Sequence, residues 1–120
     1  MATLISLPTF TDSRGSLSVI EKQMPFTVKR IYYIYNVVGQ RGGHRHKTTK
    51  QALICLGGSC SIFVDDGSSE KTYVLSNPDQ CLLLEAKDWH TMQDFSASAT
   101  LLVLASEPYD SSDYIDERYP

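Results

Sequence analysis

The chain has 120 residues, 42% of them hydrophobic, and a net charge of −3, which suits one domain spanning 1–120 with a real core and is too small for two. Its acidic pI of about 5.5 argues against a nucleic-acid partner, whose surface requires an excess of positive charge. Nothing at the N-terminus reads as a signal peptide and no apolar run approaches the ~20 residues of a membrane span, so a cytoplasmic protein without a membrane partner is expected.

Short apolar runs alternate with turn signals along the chain. Asp12-Ser13-Arg14-Gly15 is a turn between Thr9–Thr11 and the strand-like Ser16–Glu21, and Met24-Pro25 breaks the segment that follows. Val28–Val38 is β-branched and aromatic and ends at Gly39. Gln51–Leu56 ends at Gly57-Gly58, Cys60–Val64 at the hairpin signal Asp65-Asp66-Gly67, and Thr72–Leu75 at Asn77-Pro78-Asp79. Cys81–Leu84 and Thr100–Ala105 close the series, and only the tail Asp110–Tyr119 allows a short acidic turn or helix. Seven or more short strands with turns between them predict an all-β sandwich or barrel. The three cysteines, Cys55, Cys60 and Cys81, sit beside or within the apolar runs, so they read as reduced core residues rather than a disulfide framework.

Charge is unevenly distributed. Residues 13–50 hold eight basic side chains against Glu21 alone, whereas residues 51–120 hold three against twelve acids. The basic block contains His44 and His46, two of only three histidines in the chain. If they lie on extended chain, the period of two puts both imidazoles on one face. Two bases with pKa values near neutrality beside Arg41, Arg45 and Lys47 make a place to move protons on a small anionic substrate such as a diphosphate. Arg45 alternates away from that face and is expected at the surface or in a dimer contact. Arg30 and Tyr32 share one face of the 28–38 segment, with Tyr33 and Tyr35 packing on the other. The Tyr- and Asp-rich tail is expected to dock, as a dimer contact or as cover for a sheet edge.

The spacing of His44, His46, Gln51 and Gly58, followed by Trp89-His90 and Asp94, resembles the two cupin motifs, in which histidines and a glutamate line a small barrel and usually hold a divalent metal. Here Gln51 stands where metal-binding cupins have Glu, and a neutral amide is a weaker ligand than a carboxylate. Neither metal nor cofactor is therefore expected. A closer resemblance covers Phe10 to Tyr119. Asp12-Ser13-Arg14-Gly15-Ser16-Leu17, Lys29-Arg30-Ile31-Tyr32-Tyr33-Ile34 and Arg41-Gly42-Gly43-His44-Arg45-His46-Lys47 are similar to segments of the sugar nucleotide 3,4-ketoisomerases. So are Leu56-Gly57-Gly58-Ser59-Cys60, Trp89-His90-Thr91-Met92-Gln93-Asp94-Phe95 and the stretch from Leu104 to Ile115. The resemblance implies an antiparallel cupin-type jelly roll or barrel that is homodimeric and metal-free. It further implies conversion of dTDP-4-dehydro-6-deoxyglucose to the 3-keto isomer, the precursor of a 3-amino sugar.

Moving a ketone from C-4 to C-3 requires a base for the C-3 proton, a donor at C-4 and a stabiliser for the enediolate oxygen, with no redox cofactor. His46, nearer the strand at Gln51, is assigned as base, His44 as donor and Tyr32 as stabiliser. Arg14, Arg41 and Lys47 are candidates for the diphosphate, with Arg30, Gln51 and His90 completing the substrate-binding set. Three other readings compete. They are a dTDP-sugar 3,5-epimerase, a non-catalytic sugar-nucleotide-binding cupin with no need of paired histidines, and a metal-dependent dioxygenase, which Gln51 opposes.

Overall fold

In a computed structural model that describes residues 1–120, the β-branched runs form twelve strands with no α-helix. One antiparallel sheet has the order β1 (Thr3–Ser6), β9 (Gln80–Leu84), β6 (Gln51–Leu56), β11 (Thr100–Ala105), β4 (Arg30–Ile34). The second has the order β12 (Tyr114–Ile115), β5 (Arg41–His46), β10 (Trp89–Gln93), β7 (Cys60–Asp65), β8 (Glu70–Leu75). A separate hairpin, β2 (Thr9–Asp12) with β3 (Gly15–Ser18), is exposed along its whole length. This is the cupin-type arrangement of antiparallel strands that the sequence predicts.

The two sheets close on a core that includes Leu53, Cys55, Ile62, Val64, Leu82, Leu101 and Val103. Strand β6 does not alternate, because both its faces are covered. Leu53 and Cys55 face that core, while Ala52 and Ile54 join a second cluster under Ile20, Met24, Phe26 and Val28. Each such fully buried aliphatic side chain stabilises the fold by roughly 1.5–3 kcal/mol. The three cysteines are free and at most 1% exposed. Burial pushes the Cys60 thiol up to about 12 and the Cys81 thiol up to about 11.

Several boundaries differ from the sequence reading. Only residues 30–34 of the 28–38 segment are strand, and Asn36 turns the chain at φ 54°. Tyr33 and Tyr35 do not pack inside the chain; they lie on the outer face of an edge strand, 63% and 59% exposed, and stack on each other at 5.9 Å. Strands β5 and β10 hold all three histidines, and β10 was not expected as a strand. Their register breaks between His90 and Thr91, opposite the Gly42 region. Gly42 is at φ +84° and a Cβ there would meet the His90 carbonyl oxygen at 2.9 Å, so only glycine lets the strands approach this closely. The tail makes one 3-10 turn, Ser111–Asp113, capped by Asp110. Strand β12 then covers the edge of β5, as expected.

Candidate active site

The period of two on β5 brings His44 and His46 to one face, their rings edge to face at 5.1 Å. Strand β10 brings His90 to 5.2 Å from His44 and 6.4 Å from His46. Tyr114, from β12, closes the group at 4.7 Å from His44 and 4.6 Å from His46. From the opposite sheet come Gln51 and Tyr32, whose hydroxyl accepts a hydrogen bond from Gln51 Nε2 at 3.1 Å. A cavity of about 450 Å³ opens here, lined by Arg30, Tyr32, Ile34, Arg41, Gly42, His44, Met92 and Tyr114. Arg30 lies over the rings of Tyr32 and Tyr109, and neither Arg30 nor Arg41 forms an ion pair. Two larger clefts, of about 750 and 720 Å³, border Asp113 and His46 respectively but include neither Tyr32 nor His44. Chemistry rather than size therefore selects the smaller one.

Hydrogen bonds fix the imidazoles. His46 Nδ1 lies 2.8 Å from Asp113 Oδ2. Burial opposes the charge on Asp113, but bonds from Thr49, from the Thr48 backbone and hydroxyl, and from His46 outweigh it and hold the carboxyl well below its usual range. An ionised carboxylate only accepts, so the His46 proton sits on Nδ1 and Nε2 carries the lone pair. Nε2 is buried and has no partner in the chain. His90 repeats the pattern: its Nδ1 donates to the Asp88 carbonyl at 3.0 Å, and its Nε2 is buried and unpaired. Burial, then the neighbouring histidines, lower His90 to about 4, although the Asp88 bond acts the other way. His44 falls to about 4 for the same first reason. His46 is also lowered by burial, against the pull of Asp113. Burial raises Tyr32 above its ordinary 10, so its phenol keeps its proton. The site thus offers neutral bases and a phenolic donor beside two free cations.

The family model described as "FdtA: WxcM-like, C-terminal" matches residues 1–119. The chain belongs to the FdtA family. It is 44% identical over 116 residues to the TDP-4-oxo-6-deoxy-alpha-D-glucose-3,4-oxoisomerase of Aneurinibacillus thermoaerophilus, covering 93% of this chain and 84% of the other. It is 41% identical to QdtA, a sugar 3,4-ketoisomerase from Thermoanaerobacterium thermosaccharolyticum solved in complex with TDP, with a TM-score of 0.92 over 97% of this chain and 88% of that one. A 3,4-ketoisomerase from Helicobacter canadensis gives 40% identity and a TM-score of 0.91 over 97% and 90%. The rmlC epimerase of Mycobacterium tuberculosis is similar in fold alone, at 18% identity and a TM-score of 0.82 over 94% and 66%.

Of the residues singled out in the sequence, this FdtA-family chain gathers His44, His46, His90, Gln51, Tyr32, Arg30 and Arg41 in one region. Two do not join them. Lys47 lies just past β5 and lines the two larger clefts. Arg14 is at the tip of the β2–β3 hairpin, 88% exposed and bound to Asp12. Arg45 points outward to Glu117 and Tyr119, as its alternation requires. Asp113 and Tyr114 were missed. The metal expected of cupins in general does not fit this FdtA-family site. No group of three His, Cys, Asp or Glu side chains is arranged to hold one, and Gln51 is uncharged.

These pKa directions set a pH profile for the FdtA-family chain. A base must be neutral, and the groups facing His46 are Asp113, His44, His90, Tyr114 and Arg30. Activity (kcat/KM) should be flat through neutrality and fall only below the ordinary histidine value of 6.5, as His46 takes up a proton. A pH–rate profile with its acid midpoint at or above 6.5 contradicts this electrostatic account.

Proposed function

We propose that the chain is a single-domain, metal-independent sugar nucleotide 3,4-ketoisomerase acting on dTDP-4-dehydro-6-deoxyglucose. The observation that carries the reading is the buried, unpaired His46 Nε2, held in the basic tautomer by Asp113. Close relatives by sequence and structure are 3,4-ketoisomerases. His46 removes the proton at C-3, which the C-4 carbonyl acidifies. The electron pair moves onto the carbonyl oxygen, and Tyr32 donates a hydrogen bond to that enediolate. The C-3 hydroxyl proton is transferred to the C-4 oxygen, which becomes the new hydroxyl as the C-3 carbonyl forms, while a proton is added at C-4 in place of the one lost from C-3, so atoms balance with no redox partner. His44 is the donor to C-4. Since it rests neutral, the proton it passes on comes from the His46 imidazolium or from water. His90 Nε2 and Gln51 Oε1 remain as buried acceptors for sugar hydroxyls.

NMR of the substrate incubated with chelator-treated protein tests this reading. The ketone carbon should move from C-4 to C-3. An unchanged sugar favours a binding module, inversion at C-5 an epimerase, and a strict need for one divalent cation a metalloenzyme. Arg41, free of acidic partners at the cavity, is the diphosphate contact. Arg41→Ala should raise KM about tenfold, the loss of one charge-assisted contact, and TDP should protect the variant thermally less than the wild type. Equal protection removes Arg41 from the phosphate site.

The assembly is a homodimer on this reading. Exposed Phe10 and Leu17 on the β2–β3 hairpin, with Ile31 and Tyr33 on the outer face of β4, give apolar surface for a second copy. Sedimentation should give twice the 13.4 kDa chain mass, and Ile31→Glu with Tyr33→Glu should yield monomer. A wild-type monomer rules this out. No helix is long and apolar enough to cross a membrane, and the proposed compartment is the cytoplasm, where a sugar nucleotide would be met.

A further inference from the structure

Asp113 and Tyr114 sit on a segment with little to hold it of its own, one 3-10 turn and a two-residue strand. Elements this short are marginal unless tertiary contacts fix them. The contacts that follow are unusually many for a surface tail. Trp89 Nε1 donates to the Asp116 carbonyl at 3.1 Å, and Arg45 Nε donates to that of Glu117 at 3.3 Å. Arg118 then lies against two rings, 4.9 Å from Phe63 and 5.2 Å from Trp89. Its Nε donates to Asp65 at 3.0 Å and its Nη2 to Glu70 at 2.6 Å.

We propose that Arg118 is a positioning residue for catalysis: its clamp on β7, β8 and β10 holds the C-terminal strap so that Asp113 stays bonded to His46. This rests on the ketoisomerase reading, because the dyad matters for turnover only if His46 is the base. An exposed ion pair alone contributes little. Here one guanidinium engages two carboxylates and two aromatic faces, a combination that needs the planar fork of arginine. Strands β7 and β8 are paired along their whole length and carry core residues Ile62, Val64, Tyr73 and Leu75. The anchor is therefore rigid, and only four residues separate Arg118 from Asp113. The substrate cavity contains none of these groups except through Tyr114. Loosening the strap should therefore affect turnover rather than binding.

The test uses the full chain. In Arg118→Ala, kcat should fall about tenfold with KM within twofold of wild type, and Arg118→Lys, which keeps the charge but not the stacking, should fall between them. Nitrogen-15 NMR of the free protein should show His46 in the Nδ1–H tautomer in wild type and a tautomer mixture in Arg118→Ala. That signal needs no turnover, so it distinguishes a wrong clamp from a wrong substrate. If Arg118→Ala does not fold, the double change Asp65→Asn with Glu70→Gln removes both carboxylates and leaves every ring in place, and it should show the same two effects. A folded variant of either kind that keeps the Nδ1–H tautomer and wild-type kcat overturns the proposal. So does a variant with a lower melting temperature but an intact His46 signal, which would make the clamp purely structural.

Discussion

His46→Asn should abolish both isomerisation and the exchange of the C-3 hydrogen with solvent, with kcat down by about 10²- to 10⁴-fold, the range of a lost general base. His90 Nε2 is also a free acceptor, but its ring centre is 6.4 Å from that of His46. His44→Asn should lose isomerisation while retaining part of the C-3 exchange, because the enediol still forms and returns. Proton NMR in heavy water separates the two steps. If His44→Asn loses C-3 exchange while His46→Asn keeps it, the roles of the two histidines are reversed.

Asp113→Asn should be nearly as damaging, at about 10²- to 10⁴-fold in kcat, the upper end being the loss for the matching Asp→Asn change in a Ser-His-Asp triad. An amide can donate to His46 Nδ1, which moves the proton to Nε2 and removes the base. Losing the carboxylate also lowers the His46 pKa further, since Asp113 is what raises it, so the acid limb of any residual activity should move to lower pH. Stability follows the same carboxylate. Its folded pKa is depressed, so its contribution is present above the unfolded value of about 3.9 and fades as pH falls below that. Wild type should therefore melt higher than Asp113→Asn at pH 7, with the gap narrowing below pH 4. A constant gap across that range would show that Asp113 is not the ionised acceptor described.

Strands β4, β6, β7 and β11 were legible because β-branched runs between turn residues state their own conformation. Strand β5 was legible only through the spacing of its histidines. Arg41–His46 has no apolar residue to set a period, and it is a strand because β10 and β12 pair with it. Four-residue β1 and five-residue β10 do contain apolar residues, but these do not alternate with polar ones. Asp113 was out of reach. It is one of twelve acids in residues 51–120, 67 residues from its histidine, and nothing local separates it from Asp110 or Asp116. Long-range pairing of β12 with β5 makes the difference, with Thr48 and Thr49 supplying the donors. Lys47 is a different case: β5 ends at His46, so Lys47 lies outside the cavity of Tyr32 and His44 and lines instead a cleft that His46 also borders.

The sealed thiols give the molecule an internal clock for opening. Protonated and shielded, Cys55, Cys60 and Cys81 react with a thiol reagent only when the surrounding sheet parts. Cys55 and Cys60 belong to the inner core and Cys81 to the layer beneath the 20–28 segment. Their alkylation rates therefore report two different openings, whole-barrel unfolding and the lifting of that segment alone. Equal rates at all three would mean that inner core and outer layer come apart as one cooperative unit, while a faster Cys81 would mark the outer layer as the first part of the fold to yield.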